Sequence, residues 1–202
     1  MTARRALETL ELEGLAYNEQ RRGRFVSPPR VTYDISRMVS FAADAHAQGA
    51  ELEIDVIAVG SGHADVDLAK ALHVPQGEAL HEYTRLFRTS GHAIFVETEH
   101  VVASRCPDLL KYDLRQSTTK LLEQHYQIRA RDGDITIRMR GMNAPEAERL
   151  GLPENHAGIE LEQVVRDGNG VPFCLGRQMW RGELAEFSAR AIVNYEQGGK
   201  ER

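Results

Sequence analysis

The chain has only two cysteines in 202 residues, Cys106 and Cys174, and neither stands in a C-x-x-C spacing. That excludes a disulfide framework and a cysteine-based structural zinc site. No apolar run approaches the ~20 residues that a membrane-crossing helix needs. The first residues, Met1 to Arg5, lead into an amphipathic pattern instead of a signal-peptide core, so no membrane partner and a cytoplasmic location are expected. Histidine is more plentiful, at 46, 63, 73, 81, 92, 100, 125 and 156, yet none forms H-x-x-x-H or neighbours a cysteine. No metal is expected. The nucleophile motif G-x-S-x-G is missing, and Gly60-Ser61-Gly62-His63 lacks the lysine of a phosphate loop. Neither a catalytic residue nor a cofactor is expected.

What the chain does carry is ordinary globular material. Hydrophobic residues make up 42% and charged residues 27%, enough for a sizeable core. The net charge of −5 is uneven, because residues 1–30 hold six arginines against four glutamates while the remainder is strongly acidic. A short basic head on an acidic body is the asymmetry expected where one segment meets a polyanion.

Ala3, Ala6, Leu7 and Leu10 recur at helical spacing and stop at Gly14, which predicts an amphipathic helix over 2–14. Leu15-Ala16-Tyr17 and Arg24-Phe25-Val26 flank an arginine-rich tip and predict a β-hairpin. Ser27-Pro28-Pro29-Arg30 then reads as a linker, giving a first unit over 1–30, a body over 31–196 and a tail over 197–202. In the body a helix is expected over 36–47 and a strand over 51–59, where Leu52, Ile54 and Val56 alternate with acidic residues.

A pattern then occurs twice. A helix ending at Leu72-His-Val-Pro75, a strand over 80–88 and a turn at Gly91 are echoed by a helix ending at Leu150-Gly-Leu-Pro153, a strand over 159–165 and a turn at Gly170. Between the copies a helix over 117–126, capped by Ser117, and a strand over 127–140 are expected, with a last strand over 186–195. The fold class is therefore α+β, built on one mostly antiparallel sheet.

Two groups on these strands bear on function. Glu97 and Glu99 share one strand face by period 2, as paired acids in a cleft would, although a solvated face is the commoner reason for such a pair. Arg85, Arg88, Arg177 and Arg181 lie on the two related hairpins, where they either converge on an anion or form surface salt bridges with the acidic body. Spacing alone favours the salt bridges.

Thr2-Ala-Arg-Arg-Ala-Leu7 through Leu15, followed by Arg21-Arg-Gly-Arg-Phe-Val26, resembles the end of the recognition helix and the wing in the GntR family of bacterial transcription factors. The remainder resembles the UTRA effector-binding domain of its HutC-type subfamily. The markers are Ser40-Phe41, Arg85 with Gly91, Glu97, Pro107-x-Leu109, Ser117 with Leu121-Leu122, Ala144 to Pro153, Gly170-x-Pro172 and Trp180-Arg-Gly-Glu183. The resemblance implies a chorismate-lyase-like fold for the body and a winged helix-turn-helix of which only the last part lies within this sequence.

It also implies a function: a ligand-responsive repressor, acting as a homodimer on operator DNA and binding a small anionic effector. By resemblance Arg4 faces the DNA groove, Arg22 and Gly23 form the wing tip, and Arg5, Arg21 and Arg24 contact phosphates. The effector cavity is expected from Ser40, Phe41, Arg85, Glu97, Ser117 and Trp180, with Arg85 holding the anionic end and Arg88 or Arg177 substituting for a second arginine. Phe87 and Ala42 stand where sugar-phosphate-binding members carry an arginine and a hydroxyl residue, which weakens the case for a phosphoryl group. The C-terminal run Arg181 to Phe187 looks most like the phosphonate-metabolism regulators of the family. Two other readings are a chorismate-lyase-like enzyme using Arg85 and Glu97, and a stand-alone ligand-binding or dimerisation module.

Overall fold

The structure, a computed structural model, describes residues 2–13, 15–19, 23–26, 30–36, 41–42 and 51–190. Helix α1 (Ala3–Leu12) precedes the hairpin β1 (Ala16–Glu19) and β2 (Gly23–Val26), as the periodicity predicts. Arg24 of the hairpin pairs with Glu11 of the helix. The hairpin tip, the prolines and most of the helix expected over 36–47 lie outside the described residues. Phe41 and Ala42, the part of that helix that is described, are helical.

The body is one six-stranded antiparallel sheet. In chain order come β4 (Leu52–His63), helix α2 (Val66–Leu72), β5 (Ala79–Thr89) and β6 (His92–Val102). Helix α3 (Thr118–Tyr126) follows, then β7 (Ala130–Gly141), helix α4 (Ala144–Leu150), β8 (Ala157–Asp167) and β9 (Pro172–Arg181). The sheet runs β4-β5-β6-β9-β8-β7, so two copies of a strand–helix–hairpin unit meet between β6 and β9 about a pseudo-twofold axis. The repeated unit is longer than its helix and hairpin suggest, because β4 and β7 each open a copy.

Local chemistry sets the unit. Asp65 caps α2 by accepting from Leu68 N, and Asn143 caps α4 in a reciprocal box with Glu146. Both helices end on a left-handed residue, His73 (φ 53°) and Gly151 (φ 69°), which stand at matching places in the repeat. Gly60 and Gly62 lie inside β4 and not in a loop.

Side-chain alternation gives the sheet two unlike faces. On the outer face α2 packs with Leu80, Val102, Val164 and Leu175, and α4 packs with Leu86, Val96 and Met179. The inner face carries an apolar band at each end. One band joins Tyr83, Val101, Phe173 and Cys174 to Leu121 and Leu122 of α3. The other stacks Phe87, Phe95 and Trp180, with centroids 4.1 and 4.0 Å apart, beneath Phe41 and Tyr33. Tyr33 belongs to β3 (Val31–Asp34), which pairs in parallel with β10 (Ala185–Ser188). The last strand thus covers one end of the inner face and does not join the main sheet.

Candidate functional site

Between the two apolar bands, the inner face turns polar. Arg85 of β5, Glu97 and Glu99 of β6, Gly176 and Gln178 of β9 and Gln163 of β8 line a cavity of about 50 Å³, roofed by Phe41 and by Ser117–Thr119 at the start of α3. About three to five water-sized volumes fit such a space. Its partly exposed lining residues include Ala42, Ser117, Thr119 and Gln163, which place the mouth between α3 and the segment carrying Phe41.

The charged groups are deeply buried, with Arg85, Glu97 and Glu99 only 4, 6 and 7% exposed. Arg85 donates through Nε (3.0 Å) and Nη2 (2.5 Å) to Glu97 Oε2. Nη2 also reaches Glu99 Oε1 and Thr118 Oγ1, each at 3.2 Å. Nη1 donates to the carbonyls of Leu114 (3.1 Å) and Gln116 (2.7 Å) in the loop before α3. A guanidinium has five N–H groups, and the protein itself engages all five. Burial alone would loosen the Arg85 proton, but Glu97, Tyr83 and Glu99 reverse that, so the group stays charged.

Glu99 has a different balance. Burial and the neighbouring Glu97 push its carboxyl above the ordinary range, against Arg85 and hydrogen bonds from Cys174 and Thr118. Cys174 Sγ donates to Glu99 Oε2 at 2.8 Å, and burial next to that carboxyl raises the thiol well above its usual value. Gly176 lets Glu99 lie flat on β9, since a Cβ there would stand 3.3 Å from Oε2. Gln178 Nε2 donates to Glu97 Oε1 at 2.7 Å, and its own Oε1 accepts from Trp180 Nε1 at 2.8 Å.

Of the residues expected at the effector site, Phe41, Arg85, Glu97 and Ser117 come together around this cavity. Ser40 lies outside the described residues. Three expectations are corrected. Trp180 does not line the cavity. It is fully buried behind Phe41 and acts through its hydrogen bond to Gln178. Arg177 faces the opposite side of the sheet, where its Nε donates to Glu162 at 2.8 Å. The four arginines do not converge, since Arg88 pairs with Asp55 and Arg181 with Glu183. Arg85 is also not free to grip an anion as expected. Sequence reasoning noted Glu99 without assigning it to the site and missed Thr118, Gln163, Cys174, Gly176 and Gln178. The 78- and 79-residue offsets of the repeat held the signal, because they map Arg85 onto Gln163 and Glu99 onto Gln178.

Near the N-terminus, Arg4 pairs with Glu8 at 3.0 Å, and both side chains are exposed. Arg5 is exposed, and Gly23 opens β2 at φ +108°, a conformation that favours glycine. Arg24 is tied to Glu11, and Arg22 lies outside the described residues. Tyr17 of β1 touches the body: its hydroxyl lies 3.3 Å from His92 Nδ1, and the Arg181 guanidinium sits 5.4 Å from its ring centroid.

A repeated strand–helix–hairpin unit enclosing a buried polar cavity, with a helix and hairpin ahead of it, is an arrangement that suits a small-molecule-sensing regulator. Comparison with known proteins agrees. The UTRA domain model matches residues 47–186, and the chain belongs to that family, as an HTH-type transcriptional regulator of the GntR, HutC-type group. It is 23% identical to the HTH-type transcriptional repressor NagR of Bacillus subtilis over 93% of this chain and 77% of that one. It is 28% identical to the repressor PhnF of Mycolicibacterium smegmatis over 93% of this chain and 76% of that one. The crystal structure of PhnF superposes with a TM-score of 0.76 at 25% identity, covering 95% of this chain and 84% of that one. Its effector domain alone also gives 0.76, at 26% identity, covering 81% of this chain and all of that one. Both of these relatives are named as transcriptional repressors, and the enzyme reading finds no support among them.

Proposed function

We propose that the chain is a homodimeric, cytoplasmic repressor whose effector domain, residues 31–196, takes a small ligand with an anionic group in the cavity between the sheet and α3. The observation that carries this reading is the buried polar band of Arg85, Glu97, Glu99 and Gln178 set between two dry aromatic and aliphatic bands. Burying such groups is costly, and binding sites are where a few of them are set within an apolar surround. The anionic end of the ligand is assigned to Ser117 and Thr119, where hydroxyls and the positive end of α3 meet the mouth. Glu97 then accepts from ligand N–H or O–H groups, Phe41 closes the apolar wall, Arg85 positions Glu97, and Ser40 is assigned to the mouth by resemblance. In the N-terminal unit Arg4, Arg5, Arg22, Gly23 and Arg24 are assigned to operator DNA, with Arg24 released from Glu11 when phosphate is present.

The ligand binds one arrangement of sheet, α3 and the Phe41 segment more tightly, and this biases the position of the DNA-binding units across the dimer. Tyr17, resting on His92 and Arg181, is the point where that bias leaves the body. The test is a mobility-shift titration of the regulator, expressed from its own gene, on the DNA upstream of that gene. A ligand that raises the melting temperature is expected to change operator affinity by at least tenfold. Unchanged affinity with every stabilising ligand overturns the coupling.

A further inference from the structure

The charge balance of the cavity carries a more specific conclusion about the ligand. One guanidinium faces two carboxyl groups, all three at least nine-tenths buried. Among the described residues the other polar groups around them are neutral, and include the hydroxyls of Tyr83 and Thr118, the Cys174 thiol, and the amides of Gln163 and Gln178. Arg88, Arg177 and Arg181 pair with carboxylates elsewhere, so among the described residues no second cation balances the excess. A buried carboxylate without a counter-charge is strongly disfavoured, so it takes a proton or a cationic partner. The raised Glu99 carboxyl is the signature of the first state.

The hydrogen-bond inventory points the same way. Arg85 has no N–H left for a ligand anion. Each ionised carboxylate oxygen accepts about two hydrogen bonds. Glu97 Oε1 receives one from Gln178, and Glu99 Oε2 receives one from Cys174. Each of those oxygens therefore keeps acceptor capacity inside the cavity. The unmet demand here is for donors and positive charge.

We propose that the effector carries an ammonium group that seats against Glu97 and Glu99, so that with its anionic group at Ser117 and Thr119 it is a compact zwitterion of the amino-acid or aminoalkyl-phosphonate class. This rests on the cavity being the effector site. On binding, the ammonium replaces the proton held at Glu99 as the balancing charge, and that proton leaves to solvent. The cavity of about 50 Å³ suits such a head group and is small for a sugar ring.

The experiment compares matched ligands on the full chain by calorimetric titration and thermal shift: 2-aminoethylphosphonate against ethylphosphonate, β-alanine against propionate, with ethylamine as the cation alone. In at least one pair the amino member is expected to bind at least tenfold more tightly, with the preference falling to near unity in Glu99→Gln. The comparison on the unsubstituted chain stands whether or not that variant folds. Equal or tighter binding of the anion-only members overturns the zwitterion class and leaves the effector cavity in place. Binding of a sugar phosphate with none of the pairs has the same meaning. If no compound of any class binds the folded chain, the effector-site reading fails as well.

Discussion

Removal of the Arg85 side chain would leave Glu97 and Glu99 facing each other without a cation, so Arg85→Ala is expected to cost about 3–5 kcal/mol. Urea titration measures this directly. A loss under 1 kcal/mol would show that the guanidinium is not the structural keystone its hydrogen bonds make it. Glu99→Gln has the opposite expectation. Its carboxyl lies above the ordinary value of 4.5 in the folded chain, so the folded state binds that proton more tightly than the unfolded one. That contribution is complete below pH 4.5 and is lost as pH rises through the folded value. The melting temperature of Glu99→Gln should therefore rise relative to that of the ligand-free protein as the pH is raised above 4.5, a difference that cancels the opposite contribution of His100, whose imidazole burial holds below its usual value in both. About 2–4 °C accompanies each kcal/mol for a chain of this size. A difference that does not change with pH places the excess charge elsewhere.

At the scale of elements, the repeat was legible because each copy carries its own punctuation: a cap, a left-handed stop, a proline and a glycine turn. Side-chain parity is equally legible. Arg177 and Trp180 lie three apart on one strand and so face opposite sides, which settles from sequence that they cannot share a site. Parity does not reveal which face is covered, so the cleft and the solvated face stay open alternatives for Glu97 and Glu99 until the fold buries both. The strand β3 had no local signal, because Val31–Asp34 is short and finds its partner at Ala185–Ser188, about 150 residues away. Two substitutions test the packing. A Cβ at Gly158 would meet Met179 Sδ at 2.5 Å, Met142 Cε at 2.7 Å and the Trp180 carbonyl at 3.1 Å. Gly158→Ala should thus cost about 1–3 kcal/mol, read by chemical denaturation. Asn143→Ala removes one half of the α4 capping box and should cost about 1 kcal/mol in the same assay.

At the scale of the molecule, the N-terminal hairpin meets the body through Tyr17, beside the β5–β6 turn and the end of β9. Arg181 follows Trp180 directly, and Trp180 holds the glutamine that holds Glu97. A ligand that shifts Glu97 thus acts two hydrogen bonds and one residue away from the ring of Tyr17. Tyr17→Ala should leave ligand affinity within about twofold while speeding amide exchange over residues 16–26, because the contact it removes is local to the hairpin. Exchange unchanged by the variant would mean that Tyr17 does not anchor the hairpin.

The polar cavity lies on the axis that relates the two halves of the sheet. In a symmetric pair of separate chains, every substitution near such an axis appears on both sides at once, so a buried arginine would face its own copy. Within one chain each side can change alone. Arg85 stands opposite Gln163 and Glu99 opposite Gln178, the same places in the repeat filled by a charged group on one side and a neutral amide on the other. Joining the copies is what allows the pocket a direction, and a directed pocket can tell one end of a small molecule from the other.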